Sequence, residues 1–290
     1  MRTLGYAAPS TIEDAVRVLS GASGAAKVMS GGTDLLVQLR SGRLKPALIV
    51  DTKKIPGISG IREESGGFVI GAATSGAVIG EHAALRQAWP GVVEATNLIG
   101  STQVQGRASL AGNLCNASPA ADSVPALIAA RATCVIVGSS GKREVPVETI
   151  CTGPGRTSLG RDEFIIEFRL PKRAARSADA YLRFIPRTEM DIAVVGAGIN
   201  VTLDAGGVCT DARVVLGAVA PTAVIVPDAA AALIGHKLDD ATLAALDKAA
   251  RAACKPIDDK RGTIEYRIKV AGVMARRAAA IAYARAGERQ

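Results

Sequence analysis

Between Ser109 and Asp122 the chain reads Ser-Leu-Ala-Gly-Asn-Leu-Cys-Asn-Ala-Ser-Pro-Ala-Ala-Asp, fourteen positions of small residues, amides and hydroxyls with no aromatic and one charge. In a packed core each of these Asn and Ser side chains would need its own hydrogen-bond partner. A flexible linker would carry more charge and more Gly or Pro. The stretch therefore reads as a loop pressed against something polar. Gly112 allows a close backbone approach, and Asn113, Asn116, Ser118 and Asp122 supply donors and acceptors. Any fold this chain adopts has to bring a polar surface or ligand against that loop.

The chain has 290 residues, enough for a large core and, as a soft expectation, two domains. Its residues are 48% hydrophobic but only 3% aromatic, so the core has to be built from Ala, Val, Ile and Leu. The net charge of +8 is uneven: residues 251–290 hold ten Lys or Arg against four Asp or Glu. There the cations alternate with Ala at helical spacing, and only Tyr266 and Tyr283 could stack on bases. That pattern fits a solvated helix face, or a docking face for an acidic partner protein, and argues against nucleic acid. The five cysteines, Cys115, Cys134, Cys151, Cys209 and Cys254, are scattered and form no Cys-x-x-Cys. They support neither a zinc site nor an iron–sulfur cluster and fit free thiols in a reducing cytoplasm. Ser10, Glu13, Asp14 and Arg17 interrupt any secretory apolar stretch, and no apolar run is long enough to span a bilayer.

Ser10-Thr-Ile-Glu13 forms a capping box for a helix with Ile12, Ala15, Val16 and Leu19 on one face. A short strand, Lys27–Ser30, runs into Gly31-Gly32-Thr33-Asp34, which opens a helix from Leu35 to Arg40. Ala47–Val50 is the next strand, completing a β-α-β unit. Phe68–Gly71 reads as a strand and Glu81–Gly100 as a helix broken near Pro90. A further helix runs from Ser123 to about Ala130, and Cys134–Val137 and Phe164–Phe168 are strands. Residues 171–179 suit a linker. Ala193–Val195, Asn200–Leu203 and Arg213–Leu216 alternate like antiparallel strands, before Ala-rich helices over Asp239–Cys254 and Thr263–Ala286. The fold class is therefore α+β. A two-part domain spans 1–175, divided at about residues 55 and 56, and a smaller domain with an antiparallel sheet and helices spans 176–290.

Gly31-Gly32-Thr33-Asp34 follows a strand and opens a helix, where free N–H groups and the helix dipole favour an anion. The same pattern also fits an ordinary tight turn, and it is no P-loop because no Gly-Lys-Ser or Gly-Lys-Thr follows. Gly196-Ala-Gly198 imitates a dinucleotide fingerprint but leads into a strand, so the Rossmann context fails. His82 and His236 lie outside polar clusters and read as surface or helix-end residues. Asp258-Asp259 reads as a solvated pair. No Gly-x-Ser-x-Gly elbow or Ser, His and Asp set can be assembled. The catalytic residue set is empty, and the chain looks built to hold a cofactor that does the chemistry.

The Ser-Gly-Gly-Thr-Asp-Leu loop, the Gly-Asn-Leu-Cys-Asn-Ala-Ser-Pro-Ala-Ala-Asp stretch, Arg187-x-x-x-Asp191-Ile-Ala and the late Arg261-Gly-Thr-Ile-Glu-Tyr-Arg267 resemble the FAD-binding medium subunit of the molybdenum hydroxylase and xanthine dehydrogenase family, as in carbon monoxide dehydrogenases. The resemblance runs nearly end to end. It implies a flavin-binding domain of the vanillyl-alcohol oxidase (PCMH) type, a smaller C-terminal domain, and FAD between them. Carried over by position, Val28, Met29, Ser30, Gly31, Gly32, Thr33, Asp34 and Leu35 would wrap the pyrophosphate and nearby ribose. Ser109, Gly112 and Asn113 would form the second phosphate-side loop. Asp122 would accept from ribose or ribityl hydroxyls, Leu159 would pack near the ring system, and Arg183 stands where some relatives carry Lys near the flavin. The departure is Ala111, where many relatives have Gly. No Cys-rich insert is present, which disfavours the benzoyl-CoA reductase branch.

The resemblance further implies an electron-transfer subunit in the cytoplasm or peripheral at the inner membrane face. Its partners would be a large molybdenum-cofactor subunit and a small [2Fe-2S] subunit, in a dimer of heterotrimers. Two other readings stay open: a self-sufficient flavin oxidase or dehydrogenase, and a nucleotide- or CoA-binding module without redox chemistry.

Overall fold

The computed structural model describes residues 4–188 and 190–289. It begins with a three-stranded parallel sheet in which Gly5–Ala7 and Ala26–Met29 flank Leu48–Asp51, with Val28 opposite Val50. Parallel strands need crossovers, and the helices Ile12–Ser20 and Leu35–Arg40 supply them. The first of these starts one residue later than the capping box implies. Thr11, not Ser10, is the cap, accepting the Asp14 N–H at 3.0 Å.

A five-stranded antiparallel sheet follows, in the order Ile61–Glu64, Gly67–Gly71, Phe164–Leu170, Thr133–Gly138, Gly141–Pro146. Its inner strands bury Ile70, Ile136 and Phe168 completely. Both edge strands escape the sequence reading because they are charged, Arg62-Glu-Glu in one and Lys142-Arg-Glu in the other. Charge on an edge discourages pairing with other chains and hides the strand pattern.

Short helices lie between the second and fourth of these strands in the chain. The helix expected over 81–100 is three pieces, Gly76–Glu81, Ala83–Ala88 and Pro90–Asn97, with Ser75 and His82 capping the first two. His82 is thus a helix-end residue, its Nδ1 accepting the Leu85 N–H at 3.1 Å. The polar stretch is not a loop throughout. Leu110–Cys115 is helical, and Ser109 Oγ caps it by accepting the Gly112 N–H at 3.2 Å. Ser123–Ala129 is a buried helix.

The C-terminal sheet is an antiparallel meander of Ser177–Phe184, Val195–Leu203, Cys209–Gly217 and Val224–Ile225. Its first strand starts inside the expected linker. Of the segments 193–195 and 200–203, expected as separate strands, Val195 and the whole of 200–203 belong to one strand that runs through Gly196 and Gly198, while Ala193 and Val194 precede it. A Cβ on Gly198 would sit 2.7 Å from Pro125 O, and one on Gly217 would sit 2.7 Å from Pro125 Cγ. These glycines let the helix Ser123–Ala129 lie directly on the sheet, the usual meaning of Gly inside a strand. The helices Pro227–Leu233, Asp240–Ala252 and Ile264–Glu288 complete this unit. Buried Ala271, Ala275, Ala278, Ala279 and Ala282 allow the last helix a close seat.

Buried charges also join the two halves. Asp179 accepts from Arg173 at 2.6 Å and from the Val92 N–H at 3.2 Å. Arg173 stacks 3.5 Å over the Trp89 ring. Arg285 pairs with Glu94, and its other guanidinium nitrogen bonds the Asp179 carbonyl at 2.9 Å.

Candidate functional site: two clasped loops at the ends of parallel strands

Ala26–Met29 and Leu48–Asp51 run parallel, and the crevice beyond the carboxyl ends of parallel strands is where α/β sheets take ligands. Val28 and Met29 end the first of these strands, half-buried, and Ser30 to Asp34 form the turn beyond it. Ser30 Oγ lies 2.8 Å from Ser109 Oγ, so the first loop touches the cap of the second. Ser30 Oγ also reaches Ala72 O at 3.3 Å. Each hydroxyl has one proton, so the order is fixed: Gly112 N–H to Ser109 Oγ, Ser109 to Ser30, Ser30 to Ala72 O. A second tie runs from Gln38 Nε2 to Asn116 Oδ1 at 2.8 Å.

The glycines in these loops have different tasks. A Cβ on Gly31 would stand 1.9 Å from Arg107 O. Gly31 is therefore required by the backbone leading into the second loop, whatever ligand the turn holds. Gly32 has φ +81°, a left-handed conformation that glycine adopts without strain. A Cβ on Gly112 would meet Ser109 Oγ at 3.3 Å, a tight contact that the hydroxyl would have to relieve by a few tenths of an ångström, and no backbone of another segment.

The backbone N–H groups of Gly31, Gly32, Thr33, Asp34 and Leu35 have no hydrogen-bond partner among the described residues. Asp34 is exposed and does not cap the helix that follows it. In the second loop Ser109 accepts the N–H groups of both Gly112 and Asn113, the latter on its carbonyl at 3.0 Å. Those two amides are thus engaged, whereas the Ala111 N–H has no partner among the described residues. Asn113 Oδ1 accepts from Ser123 Oγ at 2.7 Å, and its Nδ2 has no partner among the described residues. Donors without opposing acceptors, spread along two clasped loops, suit an anion with several oxygens, and a diphosphate fits.

Asp122 and Arg183, expected near a cofactor, meet each other. Arg183 donates to Asp122 Oδ2 at 2.7 Å and to Leu98 O at 2.9 Å, and Tyr181 Oη donates to Asp122 Oδ1 at 2.9 Å. All three side chains are buried. Burial pushes the Asp122 carboxyl up to about 6, against the pull of the Arg183 charge and the Tyr181 hydroxyl. Leu159 packs half-buried against the N-terminal core. The hairpin just before it touches the polar stretch, Gly155 N–H donating to Ala117 O at 2.9 Å.

The two late motifs also come together. Asp191 accepts from Arg187 and Arg261, each at 3.2 Å, and from the Ile192 N–H at 2.8 Å. Asp259 is not simply solvated as expected, because Arg267 donates to it at 2.6 Å while also bonding Val194 O. In the basic tail Arg251, Arg261, Arg267, Arg285 and Arg289 all have intramolecular partners, leaving a much weaker docking charge than the sequence implies. Sequence reasoning missed Asp51, Lys53 and Tyr181. The available signal for the first two was an Asp-Thr-Lys run at the carboxyl end of a buried strand.

A donor-lined pair of loops at the ends of parallel strands in an α+β chain suits a dinucleotide cofactor that carries the chemistry. Residues 2–173 match the family described as the FAD binding domain in molybdopterin dehydrogenase, and residues 180–282 match the CO dehydrogenase flavoprotein C-terminal domain. The carbon monoxide dehydrogenase medium chain of Afipia carboxidovorans is 34% identical over 97% of both chains. That of Hydrogenophaga pseudoflava is 32% identical, again over 97% of both. Among solved structures, the carbon monoxide dehydrogenase of Hydrogenophaga pseudoflava lacking the Mo-pyranopterin moiety superposes with a TM-score of 0.93 at 33% identity, covering 97% of this chain and 98% of that one. Quinoline 2-oxidoreductase from Pseudomonas putida gives 0.90 at 25% identity over 98% of both. The chain belongs to the FAD-binding subunits of the molybdopterin dehydrogenases and is an oxidoreductase subunit. Among the described residues, no helix is long and apolar enough to cross a membrane.

Proposed function

We propose that this chain is the electron-transferring subunit of a multi-subunit molybdenum hydroxylase or dehydrogenase. Its partners are a large molybdenum-cofactor subunit and a small [2Fe-2S] subunit, assembled in the cytoplasm as a dimer of heterotrimers. FAD, when bound, supplies a redox centre that receives electrons from the partner clusters and delivers them to an external acceptor. The N–H groups of Gly31 to Leu35 and Ala111, with Asn113 Nδ2, bind the diphosphate. Gly112 leaves the approach open, and Asp122, each of whose oxygens accepts one protein donor, offers its remaining lone pairs to cofactor hydroxyls.

The observation that carries this reading is the run of five N–H groups without partners among the described residues, in a loop clasped through Ser30 to the Ser109–Gly112 cap. The names of the relatives, medium chains and FAD-binding subunits of carbon monoxide and xanthine dehydrogenases, support the place in a complex. The purified chain is expected to show a flavin absorption spectrum, or to acquire one when FAD is added. A folded sample that does neither overturns the reading. ADP binding without FAD binding would instead support a nucleotide module, and oxidation of an organic substrate by the isolated chain a self-sufficient enzyme.

A further inference from the structure

Bonded to the first loop at Ser30 lies a charged group that neither the sequence motifs nor the family descriptions assign. Lys53 Nζ donates to Asp51 Oδ1 at 2.7 Å and to the Ser30 carbonyl at 3.0 Å. Asp51 is buried, and its other oxygen accepts from Tyr6 Oη at 2.8 Å. The Lys53 N–H also donates to Asp51 Oδ1, at 3.0 Å. Burial alone would raise the Asp51 carboxyl, but the bonds from Lys53 hold it below the ordinary carboxylate range, so the pair is ionic.

The acceptor atom on Ser30 matters. A peptide unit is planar and trans, with its C=O and N–H pointing in opposite directions. An ammonium that fixes the Ser30 carbonyl therefore fixes where the Gly31 N–H points, away from Lys53. Gly31 N–H is the first of the five unpartnered amides. The same residue, Ser30, carries the hydroxyl that clasps Ser109. One cation thus holds both the first donor of the nest and the joint between the two loops.

We propose that Asp51 and Lys53 are positioning residues for the diphosphate of the bound dinucleotide, acting through the Ser30–Gly31 peptide rather than by touching the phosphates. This rests on the assignment of the two loops to the diphosphate made above. It predicts a result that simple electrostatics does not. Removing the Asp51 charge takes a negative group away from an anion site, which by charge alone would strengthen binding. If Asp51 orients Lys53, its removal weakens binding instead.

The experiment uses the full apo chain and two probes, FAD and ADP, titrated by fluorescence or calorimetry, with thermal unfolding of each variant. Lys53→Met is expected to weaken FAD and ADP alike by about tenfold, the loss of one charge-assisted contact. Asp51→Asn is expected to weaken both by several-fold, and Lys53→Arg, which keeps a cationic donor, to recover most of the loss. Variants that melt with the wild type, yet bind both probes as tightly as it does, overturn the proposal. So does tighter binding by Asp51→Asn, or a loss confined to FAD. If the wild-type chain binds FAD but not ADP, and Gly112→Val does not change FAD binding, it is the loop assignment that fails. Should Lys53→Met prove too unstable to titrate, the sign of the Asp51→Asn effect decides the matter alone.

Discussion

Gly31 and Gly112 sit in facing loops, and the space around them predicts opposite consequences for the same substitution. At Gly31 an added Cβ would lie 1.9 Å from Arg107 O and 2.7 Å from its carbonyl carbon, both backbone atoms that cannot swing aside. Gly31→Ala has to push the loops apart and break the 2.8 Å contact between Ser30 and Ser109. Overpacking of this kind costs about 1–3 kcal/mol, and the lost hydroxyl contact adds about 1 kcal/mol. Melting should therefore fall by roughly 5–10 °C for a chain of this size.

At Gly112 the only nearby atom is Ser109 Oγ at 3.3 Å, and the residue lies in a helix with ordinary φ. Gly112→Ala gains up to about 1 kcal/mol of helix propensity against a small shift of the Ser109 hydroxyl, so the apo chain should change by less than about 1 kcal/mol in either direction. Gly112→Val places a branched side chain in the open approach. If two charge-assisted contacts to the diphosphate are lost, FAD binding falls roughly 100-fold or more. Circular dichroism melts of the apo proteins and FAD titrations separate the two cases. Equal destabilisation at both positions, or full FAD affinity in Gly112→Val, would refute the reasoning.

Two further outcomes follow from the ion pairs. Asp122→Ala leaves the buried Arg183 charge without its counter-ion, with only the Leu98 carbonyl as acceptor, and the Tyr181 hydroxyl without its acceptor. Because both partners are buried, the cost should be about 3–5 kcal/mol, read as a lower denaturation midpoint of the apo chain, and a change below about 1 kcal/mol would contradict it. Asp191 is held down to about 2, first by its bond from Arg187 and then by the Ile192 N–H. A depressed carboxyl stabilises the fold above its unfolded value near 4, and that contribution is lost as pH falls from about 4 to 2. The stability difference between wild type and Asp191→Asn should therefore be constant above pH 5 and shrink on acidification; a difference that grows instead contradicts the assignment.

What the sequence revealed of this fold depended on how each segment is buried. Lys27–Ser30, the glycine turn and the helix Leu35–Arg40 were legible because an apolar strand, a glycine pair and a helical face follow one another with no tertiary help. The edge strands Ile61–Glu64 and Gly141–Pro146 were not, since charge on an edge erases the alternation that marks a strand. The strand Val195–Leu203 read as two because its glycines look like a break. Gly198 answers to Pro125, some seventy residues earlier, and Gly196 to the Tyr181 ring on the neighbouring strand, and nothing local announces either. The loops of the site were visible by composition and by resemblance, whereas Asp51 and Lys53 were not, because their value lies in which carbonyl the ammonium reaches.

Glycine shows how far composition goes in a chain like this one. Gly31, Gly112, Gly198 and Gly217 are equivalent in a count of residues, and the first two lie in motifs that invite a single phosphate-binding explanation. What a Cβ would meet tells them apart. At Gly31 it meets the other loop, at Gly198 and Gly217 it meets the helix Ser123–Ala129, and only at Gly112 does it meet no other backbone, just the Ser109 hydroxyl. Three of the four are thus needed before any cofactor arrives, because they let one backbone press on another. The clasp between the loops has to exist for the five amides of the first loop and the open flank of the second to face one anion. Substitution at Gly31 should consequently weaken FAD binding as well as stability, while substitution at Gly112 weakens binding alone, and the ratio of the two effects measures how much of the site is preorganised by the fold.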